Sequence, residues 1–165
     1  MLIGRGHPEA LFVRDVATSR ETPLASHPVW NLYRGRFSPD GRWVAFHTTN
    51  SATHRQIYVV PTGGSDAVPP AAWIPVVTDF GIQPAWSSDS RGVYHFSLRD
   101  GSFCAWLQRI DPATAKPAGD PRAVHHLHQP RLRAVAAAMV NNDVFGNHLY
   151  VTLTETTGNI WLLDQ

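Results

Sequence analysis

The chain has one cysteine and one lysine. With Cys104 alone, neither an internal disulfide nor a cysteine-based zinc site is expected. Lys116 is the only lysine, so the other basic residues are arginines, and they are scattered with no stripe or patch. The 14 basic and 13 acidic residues give a net charge of +1, which excludes a strongly polyanion-seeking protein and an acidic tail. Charged residues reach 16%, against roughly 25% in an average soluble domain. Long apolar runs are also missing. The longest is Ala134 to Val140, against about 20 residues for a membrane span. Met1 to Gly6 lacks the apolar core of a signal peptide. The 13 prolines and 12 glycines are spread along the chain and interrupt any long helix. The 43% hydrophobic residues suffice for a core, and 165 residues allow one domain or part of a larger one.

An internal repeat organises the chain. Arg36-Phe37-Ser38-Pro39-Asp40-Gly41-Arg42-Trp43-Val44-Ala45-Phe46 returns as Ala85-Trp86-Ser87-Ser88-Asp89-Ser90-Arg91-Gly92-Val93-Tyr94-His95-Phe96. Phe37 aligns with Trp86 at an offset of 49 residues, Asp40 aligns with Asp89, and Phe46 aligns with Phe96 after one inserted residue. A period of roughly 40–50 residues is that of a four-stranded propeller blade. Each unit has the same order. An aromatic residue closes a first strand, and a Ser-x-Asp turn follows, in which Asp bonds back to the backbone and Gly41 supplies positive φ. The second strand then alternates, as in Trp43, Ala45, His47 against Val44, Phe46. A hairpin at Arg99-Asp100-Gly101-Ser102 and third strands at Gln56–Val60 and Phe103–Ile110 come next. Proline-bearing fourth strands are expected near Ala72–Val76 and Arg122–Leu127, where an outer edge tolerates a missing N–H.

Incomplete units flank these two. Ala10–Asp15 reads as a third strand and Glu21–Leu24 as a fourth, with no strand before them. Ala134–Val140, His148–Leu153 and Gly158–Leu163 read as the first three strands of a last unit, separated by a degraded turn at Asn141–Asn147. The expected fold is all-β, with antiparallel four-stranded blades and about three blades of an incomplete propeller. The expected boundaries are 10–26 for the end of a blade, 30–78 and 82–128 for two blades, and 131–164 for a last blade without its fourth strand. The framework residues are Phe37, Asp40, Gly41, Trp86, Asp89, Asp100, Gly101, Gly158 and Trp161.

The Phe-Ser-Pro-Asp-Gly-Arg-Trp-Val-Ala-Phe run resembles the repeat of TolB-like, WD40-related (PD40-type) bacterial β-propellers. Arg55–Pro61, Asp111–Thr114 with Ala123–His128, and Glu155–Trp161 resemble the C-terminal propeller of acidobacterial-type sensors, in which a serine/threonine kinase or winged-helix domain precedes the propeller. The resemblance runs from about Ala10 to Asp164. It implies a sensor segment of a larger bacterial signalling protein, and a periplasmic or extracytoplasmic location.

Kinase chemistry itself is absent from these residues. Asp79-Phe80-Gly81 matches the magnesium-binding tripeptide, and Val13-Arg14-Asp15-Val16 echoes a catalytic loop. A kinase needs a lysine ahead of both, but Lys116 follows both, and no glycine-rich loop is present. Asp79 to Gly81 reads as a turn between blades. No hydrolase elbow, phosphate loop or zincin helix occurs. His125, His126 and His128 form an imidazole cluster. His126 and His128 share a strand face and are the candidate metal ligands, with no carboxylate or thiolate near them in sequence. His47 and His95 fall near equivalent places on second strands, where packing or a channel-facing role is expected. The aromatics lie on strands and are not interleaved with basic residues, which argues against nucleic-acid stacking.

The expected function is therefore non-catalytic: a scaffold that binds a protein or small ligand at the propeller's channel mouth, with no cofactor, no nucleic acid and no membrane span. The alternatives are the accessory propeller of a prolyl-oligopeptidase-like peptidase and a stand-alone TolB-like envelope protein. Closed propellers hold about four to eight blades. Three blades leave apolar faces for missing blades, or a second copy of the chain, to cover.

Overall fold

In the first three sheets strands follow one another along the chain and pair in chain order, because short turns allow only antiparallel neighbours. The computed structural model describes residues 1–49, 54–127, 132–133, 142–146 and 148–155. The first sheet contains β1 (Leu2–Arg5), β2 (Ala10–Arg14) and β3 (Glu21–Ala25) in that order. The second contains β4 (Asn31–Phe37), β5 (Trp43–Thr49), β6 (Arg55–Pro61) and β7 (Ile74–Val77), with a 3-10 turn at Pro70–Ala72 ahead of β7. The third contains β8 (Ile82–Trp86), β9 (Gly92–Ser97), β10 (Cys104–Arg109) and β11 (Arg122–His125). Further on, β12 (Leu132–Arg133) pairs with β15 (Thr154–Glu155), and β13 (Asn142–Phe145) pairs with β14 (His148–Val151). The all-β, four-stranded blade architecture is as expected. Among the described residues, no helix is long and apolar enough to cross a membrane.

The repeat proves to be gap-free. Val44 opposes Phe37 as Val93 opposes Trp86, Ala45 opposes Arg36 as Tyr94 opposes Ala85, and His47 opposes Tyr33 as Phe96 opposes Ile82. Every pair is displaced by the same 49-residue offset, so the expected inserted residue does not exist. Phe46 corresponds to His95, and His47 corresponds to Phe96. The two histidines are therefore not equivalent, and they lie on opposite faces of their sheets. The first strands also share a bulge, where Arg34 and Gln83 both take φ of 56°. The third strands share another, at Leu11/Phe12, Ile57/Tyr58 and Ala105/Trp106. Bulges re-aim a strand and increase its twist.

The Ser-x-Asp turns are built alike. The Oγ of Ser38 donates to Asp40 Oδ1 at 2.5 Å, and that of Ser87 to Asp89 Oδ1 at 2.5 Å. The same carboxylates accept the N–H groups of Arg42 (3.2 Å) and Arg91 (3.0 Å). Gly41 and Ser90 occupy the left-handed position, with φ of 73° and 57°. These bonds, the serine hydroxyl foremost, hold both carboxyls below the usual aspartate range.

Burial is concentrated between sheets. Leu11, Leu24 and Ala25 of the first sheet meet Leu32, Val44, Phe46, Val60 and Trp73 of the second. Ala45, Ile57 and Val59, on the opposite face of the second sheet, meet Trp86, Val93 and Ile110 of the third. Ile82, Phe96 and Ala105 then meet Leu149 and Val151. The central strands β5 and β9 bury both sets of alternating side chains against different neighbours, so sheet stacking is the main source of stability.

Two boundaries differ from expectation. The first sheet starts at Leu2, because β1 pairs with β2 from Leu2↔Val13 to Arg5↔Ala10. Residues 142–145, read as part of a degraded turn, form strand β13, paired with β14 from Asn142↔Val151 to Phe145↔His148. The expected strands Ala134–Val140 and Gly158–Leu163 lie outside the described residues.

Candidate functional site

The sheets meet at their inner strands, with β8 against β4 and β5, and β4 against β1. The bulge at Arg34 turns that side chain outward along this inner side, where it is exposed. Leu2, Ile3, Gly4, Glu9, Leu11, Arg34, Gly35 and Arg36 line an open cleft of about 220 Å3 there. The lining combines three charged residues, Glu9, Arg34 and Arg36, with the apolar Leu2, Ile3 and Leu11. Burial raises the Glu9 carboxyl above the usual range, opposed by the Arg34 guanidinium. Backbone bonds hold Glu9 in place: its N–H donates to Asn31 Oδ1 (2.8 Å) and its carbonyl accepts from Leu32 (2.9 Å). A wider groove of about 540 Å3, lined by residues such as Asp15, Arg20 and Thr22, lies at the outer edge among exposed turns.

Phe37 and Trp86 end β4 and β8, although Phe37 stays 38% exposed while Trp86 is buried. Asp40, Gly41 and Asp89 build the turns described above. Asp100 and Gly101 form the β9–β10 hairpin, where Gly101 has φ of 84° and donates its N–H to the Leu98 carbonyl (2.8 Å). Gly158, Trp161 and His128 lie outside the described residues. Asp79, at the turn between the second and third sheets, pairs with Arg99 (2.8 Å), and the Gly81 N–H donates to the Arg55 carbonyl (2.8 Å). Asp79-Phe80-Gly81 thus serves as an inter-sheet turn.

His47 and His95 are buried, at 6% and 2% exposure, in the layer between the second and third sheets. His47 shares the face of Ala45, and His95 shares that of Val93. Burial, with the charges of Arg55 and Arg34, lowers His47 to about 3. Burial lowers His95 to about 4, against a weak contact of its Nδ1 with the Val93 carbonyl (3.4 Å). The His47 Nδ1 has no hydrogen-bond partner among the described residues. Both rings are neutral packing groups near pH 7.

His126 has the neighbours that were not legible in sequence. Its Nδ1 lies 2.7 Å from Asp100 Oδ2, and Cys104 stands beside both. One ligand atom from each of Asp100, Cys104 and His126 falls within 4.8 Å of the others. The expectation that no carboxylate or thiolate approaches the imidazole cluster is therefore corrected. The register shift at Ala105/Trp106 sets His125 opposite Ala105 and carries His126 back over the hairpin. Cys104 is buried, and its Sγ accepts the Leu127 N–H at 3.3 Å. Burial pushes its thiol up.

No family model matches the chain, and no curated protein matches its sequence. Solved structures do resemble it. TolB from Acinetobacter baumannii superposes with a TM-score of 0.58 at 14% identity, over 94% of this chain and 37% of TolB. A prolyl endopeptidase gives 0.56 at 18% identity, over 89% of this chain and 23% of that one. A puromycin-hydrolyzing peptidase of Mycobacterium tuberculosis gives 0.52 at 15% identity, over 76% of this chain and 23% of that one. The chain spans about a quarter to a third of the structures it resembles. At these identities the likeness concerns the fold: stacked propeller blades, the part these proteins share with it.

Proposed function

We propose that this chain is a non-catalytic propeller segment of a larger protein, presenting a recognition cleft along its innermost strands. The cleft of Glu9, Arg34 and Arg36 carries the reading. Two guanidiniums and one carboxylate, with Leu2 and Leu11, suit a ligand with a carboxylate and a short apolar body, such as the acidic end of a peptide. The larger protein is a signalling sensor with a kinase or DNA-binding domain, as the sequence resemblance implies, and further blades or a second copy complete the stack.

A second reading is the accessory propeller of a prolyl-oligopeptidase-like peptidase. Two of the three structural neighbours named above, both peptidases, favour it. TolB favours a stand-alone envelope protein of its kind in the same way. The adjoining reading frame distinguishes these: a kinase or winged-helix domain, an α/β-hydrolase domain, or a signal peptide alone.

A thermal-shift titration with triglutamate tests the cleft. The full chain should be stabilised, and the variant carrying Arg34→Ala and Arg36→Ala should not. Equal stabilisation of both proteins would place binding elsewhere. Hydrolysis of a chromogenic prolyl peptide by the purified chain, retained in that double variant, would overturn the non-catalytic reading.

A further inference from the structure

The outer end of the third sheet brings three chemically different donors together from three places in the chain. Asp100 comes from the β9–β10 hairpin, Cys104 from the start of β10, and His126 from just beyond β11. We propose that Asp100, Cys104 and His126 bind one zinc-class divalent ion through carboxylate oxygen, sulfur and imidazole nitrogen, leaving the fourth position to water. This proposal is independent of the recognition cleft.

The donor set selects the metal. A thiolate with an imidazole suits zinc or cobalt and disfavours magnesium and calcium, which take oxygen ligands. Three protein ligands with a water in the fourth position is an open tetrahedral arrangement. The ligand atoms already lie within 4.8 Å of one another. Zinc bonds of about 2.0–2.3 Å set tetrahedral ligand atoms roughly 3.3–3.8 Å apart, so the His126–Asp100 pair, now 2.7 Å apart, opens to admit the ion. The ion would replace the contact between His126 Nδ1 and Asp100 Oδ2. On binding, the Cys104 thiol loses its proton to solvent and the neutral imidazole gives a lone pair. Two anionic ligands then balance the dication.

The surroundings hold each donor in place. The Leu127 N–H fixes the sulfur at 3.3 Å. The Ser102 N–H reaches Asp100 Oδ1 at 3.4 Å, and the Gly101 bond to Leu98 closes the hairpin. The Trp106 ring meets His126 edge-on at 6.3 Å, and Arg99 lies over that indole. Arg99 is itself paired with Asp79 (2.8 Å). Bound metal would clip the hairpin to the end of β11, and so fasten the outermost strand of this sheet.

Cobalt titration of the full chain after chelator treatment provides the test. One equivalent should produce a thiolate-to-cobalt charge-transfer band in the near ultraviolet, and zinc should abolish it. Cys104→Ser should remove the band. Asp100→Asn and His126→Gln, both at exposed positions, should weaken cobalt binding at least tenfold while keeping the far-ultraviolet circular dichroism of the parent. His125→Gln should bind as the parent does. No band in the parent, a band surviving Cys104→Ser, or full binding by His126→Gln would each overturn the triad. Loss of binding in His128→Gln with retention in His126→Gln would move the site to the other histidine and also refute it.

Discussion

Trp86 donates its indole N–H to the backbone carbonyl of Arg36, 2.9 Å away in the neighbouring sheet. The residue that closes one first strand is thereby tied to the penultimate residue of the preceding one. The adjacent turn adds a second tie, from the Asp40 N–H to the Ser90 hydroxyl (3.1 Å). Stacking is thus directed by hydrogen bonds at the same repeat position that ends in an aromatic residue.

Trp86→Phe should keep most of the packing and lose this bond, at a cost of about 1 kcal/mol, or up to about 3 kcal/mol if the carbonyl stays dry and unpaired. Trp86→Ala should cost about 3–5 kcal/mol through the cavity it leaves. Urea unfolding checks both, read as a lowered midpoint at unchanged slope.

The two buried histidines predict acid sensitivity above the carboxylate range. Their folded pKa values, about 3 for His47 and about 4 for His95, lie below the ordinary 6.5. Below pH 6.5 the unfolded chain takes up protons that the folded chain refuses, so stability falls as pH falls. The loss from His95 is complete near pH 4, and that from His47 near pH 3. The losses are on the order of 3 kcal/mol for His95 and on the order of 5 kcal/mol for His47. Asp40 and Asp89, whose folded values are lowered, add further loss below 3.8. His95→Phe places in the third sheet the residue that Phe46 supplies in the second. It should roughly halve the fall in melting temperature between pH 6.5 and 4, His47 accounting for the rest, measured by circular dichroism across that range.

Gly81 has ordinary φ but no room. A β-carbon there would fall 2.7 Å from Val77 Cγ1 and 3.2 Å from Ile57 Cδ1. Gly81→Ala should therefore cost about 1–3 kcal/mol by overpacking. Adding Val77→Ala should recover part of that loss, so that the double variant is more stable than the two single effects sum to. Chemical denaturation of the three variants measures the coupling.

The 49-residue period, the Ser-x-Asp turns and most strands were legible because turn chemistry and two-residue alternation are local. Strand β1 was not, since Leu2-Ile3-Gly4-Arg5 is too short to show alternation and is recognisable only beside Val13 and Phe12. The face of each histidine was misjudged because an inserted residue was introduced to align Phe46 with Phe96. The 49-residue offset of Ser38 to Ser87 and Asp40 to Asp89 lies ahead of that position and leaves it open; only the pairing of first and second strands excludes an insertion. The Asp100–Cys104–His126 group lay beyond sequence reasoning, because a register shift in the β10–β11 pairing brings it together. The inner cleft was equally hidden. Arg34 and Gln83 share an offset with Phe37 and Trp86, but nothing in their residue types announces positive φ.

The account holds that these sheets depend on neighbours on both sides. Phe145 and Tyr150 stand 78% and 56% exposed on the face of the β13–β14 hairpin opposite Leu149 and Val151, which pack on the third sheet. Light scattering across a concentration series tests the dependence most directly. The account predicts that the isolated chain associates into species heavier than 18.3 kDa. A monodisperse monomer of that mass with a single cooperative melting transition would contradict it.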